Sequence, residues 1–481
     1  MMQFLGLHHS LQSDDLMNRN YVDVKHQLVF KMKNGCNKWK SISSVHLFIY
    51  RKHPSHSIIS FFRSIPMVKE YQMDNYFVLH SVENSKLNTN SDYYFELRIK
   101  FFNESECKLT KTSLSHKMEL LLHSNTGCMF MSCNGKESNK IPEHEHQWSS
   151  YNAKTKSQDH VFLFGMGDQV YLDNVHHKRD IFMNYIESFY GNHSFNERLN
   201  RSICIMCWDD HEYDNSWTYD EFIADHKNIN ASHNFPTKFK YCYKYYHLFQ
   251  KFQIKNIQQD FNPFGRVGGH RYLLIQDTLF VHLDTRSEKS QKHMLRKCTY
   301  ESLFITLEKY KNHFSNVCIL IASPIGIPNM GREYQWIQST DNFIKGVLRR
   351  EKHIFSFFKD MDDMWWNKKY ENETKNFMKK LSKTLRNKKI NIIAGDVHCG
   401  IDCTQKINGA YIRHLTTSSA SNSPLPVLYS SYLNAKMKHS NNSNCQFMYR
   451  SIEKNNRFIC TKNNVLVWNK DTNKFKFVVC E

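Results

Sequence analysis

The stretch VFLFGMGDQVYLDN, residues 161–174, decides how this chain is read. It begins as an apolar run with the length of a buried strand and then drops Asp168, Tyr171 and Asp173 into one turn. A plain turn accounts for Gly167 and the carboxylates but not for a phenol among them. Carboxylate and phenolate oxygens are ligands for metal ions, so the stretch reads either as an ordinary loop or as part of a metal site. The remaining ligands have to come from elsewhere in the chain.

The same pattern recurs. FMSCNG (130–135), CIMCWDDHEYDN (204–215) and NIIAGDVHCG (391–400) each place a polar group directly after an apolar strand. The ends of neighbouring parallel strands share one edge of a sheet, which is where sites form in α/β folds. Cys133, Asp168, Tyr171, Asp210, Asp396 and His398 can therefore converge although they are scattered over more than half the chain. Taken singly, a Gly-Asp pair or an Asp-Asp-His is only a common turn.

Working outward, residues from about 20 to 110 alternate apolar and polar, as in YVDVKHQLVFKMKNG and YYFELRIKFFN, which predicts strands. We read 1–122 as a small N-terminal β-rich domain and 123–481 as a second unit. After the strand ending at Cys133, the stretch 135–159 is polar and poorly periodic and reads as a loop. Beyond it, strands are expected at 161–165, 202–207, 271–283, 317–322 and 390–394. Helices are expected near 179–190, 238–252, 300–313 and within 344–387. Such alternation argues for an α/β core. The tail, with NVLVWN and KFKFVVCE, reads as hairpin strands.

At 481 residues, 40% of them hydrophobic and 14% aromatic, the chain can bury a large core and is not disordered. Its N-terminus lacks a basic segment followed by a long apolar one, and no apolar run approaches the ~18 residues of a membrane helix. Fourteen cysteines without a secretory signal read as mostly reduced thiols, which suggests the cytoplasm. A net charge of +19 favours anionic partners: phosphate esters, nucleic acid or an acidic membrane surface. It does not choose among them, and the dense block KKLSKTLRNKK (379–389) reads as a solvated helix face.

In order and spacing, G-D-Q-V-Y-L-D, W-D-D-H-E and G-D-V-H resemble the alkaline phosphatase D (PhoD)-like members of the calcineurin-like metallophosphoesterases, in particular the eukaryotic-type PhoD-like domain. The resemblance extends through HLDTRSEK (282–289), ILIASPIGIP (319–328), DMDDMWW (360–366) and LTTSSASNSPLP (415–426), and covers roughly residues 125–430. It implies a four-layer α/β sandwich of metallophosphatase type, with the N-terminal β domain appended. It implies hydrolysis of phosphate monoesters or diesters at two or more metal ions, Fe(III) with Ca, Mg or Mn. Asp168 would bridge the ions, Cys133, Tyr171 and His398 would ligate the more Lewis-acidic one, and Asp210 and Asp396 would hold its partner. His211 would assist the leaving oxygen, with Arg286 and Asn134 as further substrate contacts. The chain departs from the pattern at Met364 and Thr374, where similar domains tend to carry His and Arg, and this bears on substrate recognition more than on metal binding.

Plainer readings stand beside these. Cys204 and Cys207 form a C-x-x-C with no second pair and read as core thiols, and Cys399 and Cys403 as ordinary packing. EHEH (143–146) and His176-His177 read as solvated loop residues. Arg286 could instead pair with Glu288. The competing class is a phosphatase-like scaffold that turns nothing over and binds nucleic acid or acidic lipid through its basic surface.

Overall fold

A computed structural model describes residues 2–11, 21–32, 42–52, 58–101, 107–109, 119–120, 127–135, 141–155, 160–218, 236–252, 270–326, 364–365, 367–421, 427–442, 447–452 and 458–480. The strands of the first half are β1 (Met2–Leu11), β2 (Tyr21–Met32), β3 (Ile42–Lys52), β4 (Ile59–Met73), β5 (Tyr76–Ser81), β6 (Ser85–Asn88), β7 (Asp92–Phe101), β8 (Cys107–Leu109), β9 (Glu119–Leu120), β10 (Cys128–Met131), β11 (Phe162–Met166) and β12 (Ile203–Cys207). Those of the second are β13 (Arg271–Ile275), β14 (Thr278–His282), β15 (Asn316–Ile321), β16 (Lys389–Ala394), β17 (Gly400–Ile407), β18 (Ala410–Thr416), β19 (Phe447–Tyr449), β20 (Ile459–Cys460), β21 (Asn464–Asn469) and β22 (Lys474–Val479). Helices are α1 (Ile141–Thr155), α2 (Lys178–Ile186), α3 (His193–Asn200), α4 (Thr237–Phe249), α5 (Lys297–Tyr310), α6 (Glu371–Thr384) and α7 (Val427–Asn442).

This is a mixed α/β chain with two sheets. The first runs β22-β21-β10-β11-β12-β1-β2-β5-β4-β3-β7-β8, and the second β13-β14-β15-β16-β18-β17-β19. Strands β10, β11, β12 and β1 are parallel neighbours, as are β14, β15, β16 and β18. The N-terminal strands continue the first sheet, because β1 lies beside β12 with His9 opposite Ile203.

The apolar runs of the central strands are explained by burial on both faces. Phe162, Phe164 and Met166 of β11 join a core shared with Phe280 and Leu320 of the other sheet, whereas Leu163 packs on the helix side with Tyr185 and Phe249. Phe280 meets Phe164 at 5.5 Å and Trp468 at 5.2 Å between ring centroids, so the two sheets lie face to face there. In β15, Cys318 and Leu320 face that shared core while Val317, Ile319 and Ile321 pack with Leu307 of α5 and Phe377 and Leu381 of α6.

Several expectations are corrected. The stretch 135–159 is not all loop, since α1 occupies 141–155. His144, Trp148, Tyr151 and Thr155 are its buried residues at helical spacing, and a polar His and Thr on that face hid the period. EHEH is thus helical, with His144 buried, whereas His176 and His177 are exposed as expected. The strand 271–283 is a hairpin turning at Gln276, and the sheet begins earlier than expected, at Met2. Within 344–387 the described helix is α6. Residues 327–328 and 360–363, Trp366 and residues 422–426 of the resemblance motifs, and the helix expected before 364, lie outside the described residues. Among the described residues no helix is long and apolar enough to cross a membrane.

Candidate metal centre

The polar groups meet because of the strand order. Cys133, Asp168 and the pair Asp209-Asp210 follow β10, β11 and β12, three adjacent parallel strands, and so lie along one sheet edge. Asp396 and His398 follow β16 of the second sheet. The two edges touch closely: Ser132 Oγ accepts from the Asp396 amide at 3.3 Å. A Cβ on Gly395 would stand 2.2 Å from the same oxygen, so only glycine permits this approach.

Backbone conformation marks the same positions. Cys133, Asp168, Asp396 and His398 have φ of 51°, 58°, 70° and 51°, in the left-handed region that non-glycine residues rarely occupy. Each costs on the order of 1–3 kcal/mol, and such residues collect where the surroundings over-determine a functional turn. The amides of Asn134 and Gly135 bond the Asp168 carbonyl at 2.8 and 3.3 Å, and the Cys133 amide bonds that of Gly167 at 3.2 Å. The β10 and β11 turns are thereby interlocked. Gly135 is glycine because its Cβ would fall 2.4 Å from the Tyr171 ring.

One ligand-type atom from each of Asp168, Asp209, Asp210 and Asp396 lies within 4.8 Å of the others, and the same holds for Asp168, Asp210 and His211. Cys133 Sγ is 3.6 Å from Asp168 Oδ2. His398 is at the rim of the same edge but is not in either close group among the described residues. Asp168 Oδ1 and Asp210 Oδ1 are buried and accept no hydrogen bond. Buried carboxylate oxygens in that state call for a cation, so the donor set fits metal ions.

The electrostatics agree. Burial, together with Asp210, Asp209 and Asp396, pushes the Asp168 carboxyl well above the usual carboxylate range, although His211 opposes this. Burial likewise opposes ionisation of Asp210, but Arg286, His211 and the Ser216 amide hold it below that range. Burial and the carboxylates Asp168 and Asp396 push the Cys133 thiol well up. A cation at this edge reverses each of these penalties.

His211 is fixed in place. Its Nδ1 donates to both oxygens of Asp173 at 2.9 Å, and the Tyr171 ring stacks on it at 4.4 Å and 30°. Burial works against its protonation, but Asp210, Asp168 and Asp173 raise its pKa well above the usual histidine value. Asn134 Oδ1 accepts from Trp148 Nε1 at 2.7 Å and His144 Nε2 at 3.2 Å, which settles the amide's orientation and leaves Nδ2 buried with no hydrogen-bond partner.

Arg286 does not pair with Glu288. Its side chain is 1% exposed, with Nε on Asp209 Oδ1 at 2.5 Å, Nη1 on the Trp217 carbonyl at 2.9 Å and Nη2 3.6 Å from Asp210 Oδ1. Glu288 instead accepts from Thr299 Oγ1 and the Arg296 amide. Cys204 and Cys207 are buried in β12 on opposite faces, and burial pushes the Cys207 thiol up to about 12, as core thiols should be. Met364 is buried, and the Thr374 hydroxyl bonds the Tyr370 carbonyl at 3.1 Å and that of Trp365. Three site residues carried no assignment in the sequence: Asp209, Asp173 as the partner of His211, and Glu212. All three sit inside the quoted motifs, and only the doubled Asp-Asp hinted at Asp209.

The chain superimposes on the structure of PhoD with a TM-score of 0.59 and 13% identity, over 99% of this chain and 92% of that one. A dimetal phosphatase from Danio rerio is also matched, over 74% of this chain and 99% of that one, with 10% identity and a TM-score of 0.36. No family model matches the chain, and no curated protein does. The likeness to PhoD expected from the motifs is thus shown in the fold.

Proposed function

We propose that the chain is a PhoD-like, metal-dependent phosphoester hydrolase acting on monoesters, diesters or both. We read its architecture as four layers, helix–sheet–sheet–helix, with an N-terminal β domain over 1–122. The observation that carries the functional reading is the meeting of Asp168, Asp209, Asp210 and Asp396 at strand ends of both sheets, with two buried oxygens accepting no hydrogen bond. Four carboxylates at this spacing repel one another unless cations sit among them.

Asp168 would be shared between two ions. Cys133, Tyr171 and His398 would complete the harder site, for which Fe(III) suits the thiolate and phenolate, and Asp210 with Asp396 would hold Ca, Mg or Mn. Bound ions of this kind polarise phosphoryl oxygens and neutralise their charge. The chain's own residues do the rest. With Nδ1 held by Asp173, His211 has Nε2 left to give a proton to the leaving oxygen, and the stacked Tyr171 ring keeps the imidazole in one plane. Arg286 balances Asp209 and Asp210, and its Nη2 and the Asn134 Nδ2 are the donors we assign to phosphoryl oxygens.

The test is a phosphate-release screen over mono- and diesters, with metal-loaded and chelated protein compared. Metal-dependent release is expected. No turnover on any ester by the loaded protein would overturn the reading in favour of a binding scaffold.

A further inference from the structure

Glu212 is a fully buried carboxylate a short step from a group of carboxylates, and among the described residues it makes no ion pair. Its charge is met by hydrogen bonds alone. Oε2 accepts from the amides of Asp168 at 2.9 Å and Asp209 at 2.8 Å, and Oε1 from the Gln169 amide at 2.7 Å and Gln250 Nε2 at 3.1 Å. Three of these donors are the backbone of the two turns that follow β11 and β12. One oxygen atom is thus shared by the amides of Asp168 and Asp209, which helps fix the spacing of the two turns beyond the strand ends, where the ladder of the parallel sheet has stopped.

We propose that Glu212 is a positioning residue for metal binding: it clamps the Asp168 and Asp209-Asp210 turns so that their carboxylates stay close despite mutual repulsion. This rests on the hydrolase reading above and names a residue through which the site is held ready. Two observations converge on it. Asp168 keeps a left-handed φ of 58° that only an over-determined turn maintains, and the Leu172 amide bonds the His211 carbonyl at 2.8 Å as a second tie between the same turns. A carboxylate suits the task because it offers acceptors only, whereas any amide or hydroxyl would present a donor to a backbone N–H.

The test compares wild type with E212Q and E212A by titration with manganese(II) alone and by hydrogen exchange of the 168, 169 and 209 amides. E212Q preserves shape, and Gln250 Oε1, which accepts no hydrogen bond, can turn to receive the new NH₂. The Gln169 amide then loses its acceptor. Manganese affinity should fall about 10–100-fold in E212Q, the range for residues that orient ligands, and further in E212A, with exchange faster at those amides. A control is Thr155→Val in α1, which removes the buried hydrogen bonds that Thr155 Oγ1 donates to the Tyr151 carbonyl and accepts from Arg198 of α3. Equal losses of manganese affinity in this control and in E212Q would reduce Glu212 to a general structural role and overturn the proposal. So would unchanged affinity and exchange in E212Q, even if E212A fails to fold. If the wild type binds neither manganese nor, in parallel titrations, calcium or magnesium, the metal-site reading above falls, and the clamp is then decided by exchange alone: faster in E212Q supports it, unchanged refutes it.

Discussion

Replacing Arg286 with Met keeps most of the side-chain volume and removes the guanidinium. In the structure that group is 1% exposed and faces Asp209 at 2.5 Å and Asp210 at 3.6 Å, themselves 2% and 6% exposed. Removing one partner of a buried pair leaves an uncompensated charge, which costs about 3–5 kcal/mol. In chelated protein at pH 7, urea unfolding of Arg286→Met should lose stability of about that size. The pH dependence follows from Asp210, whose carboxyl is held below the usual range by Arg286 and His211 against the opposing effect of burial. A depressed folded pKa contributes stability that is present above the unfolded value, about 4, and lost as pH falls through the folded one. The difference between wild type and variant should therefore be full at neutral pH and shrink on acidification below about pH 4. Manganese(II) should restore part of it, since a cation can replace the missing charge. A loss under about 1 kcal/mol, typical of a surface pair, or a difference that does not change with pH, would refute the reasoning.

Iron-loaded protein should show a visible phenolate-to-metal charge-transfer band that Tyr171→Phe abolishes; bound iron with no band would remove Tyr171 from the ligands. Cys133→Ser should lower metal content while Cys204→Ser and Cys207→Ser leave it unchanged, as elemental analysis of the folded proteins would show. His211→Ala should retain its metals and lose about 100-fold or more in turnover, with a larger loss for poorer leaving groups. Asp173→Asn should shift the same way but less, and a loss that does not vary with the leaving group would exclude proton donation by His211.

The α/β order and the central strands were legible because each is buried on both faces and flanked by turn residues. Phe162–Met166 and Asn316–Ile321 leave no other reading. α1 was not legible, because its inward face carries His144 and Thr155, buried polar residues that break the apolar period, and the Asn134 oxygen that meets His144 lies in the preceding turn rather than in the helix. β1 escaped for a similar reason: the buried polar residues His8 and Ser10 break its apolar alternation, although it pairs along its length with β2, the next strand, as well as with β12. At the site, motif order placed the turns but not the partners within them. That Arg286 serves Asp209, that Asp173 holds His211 and that Glu212 ties two turns together are facts of tertiary geometry. Residue type alone gives an arginine no preference between a carboxylate and a phosphate.

The central claim is that strand ends of two sheets assemble one centre for two metal ions around Asp168. Elemental analysis of the protein purified without chelator, wild type beside Asp168→Asn, tests it most directly. The account predicts about two metal ions per wild-type chain and a clear loss in the variant, because the shared carboxylate loses the charge that both ions need. A wild-type chain with no bound metal, or an Asp168→Asn chain holding as much as wild type, would contradict it.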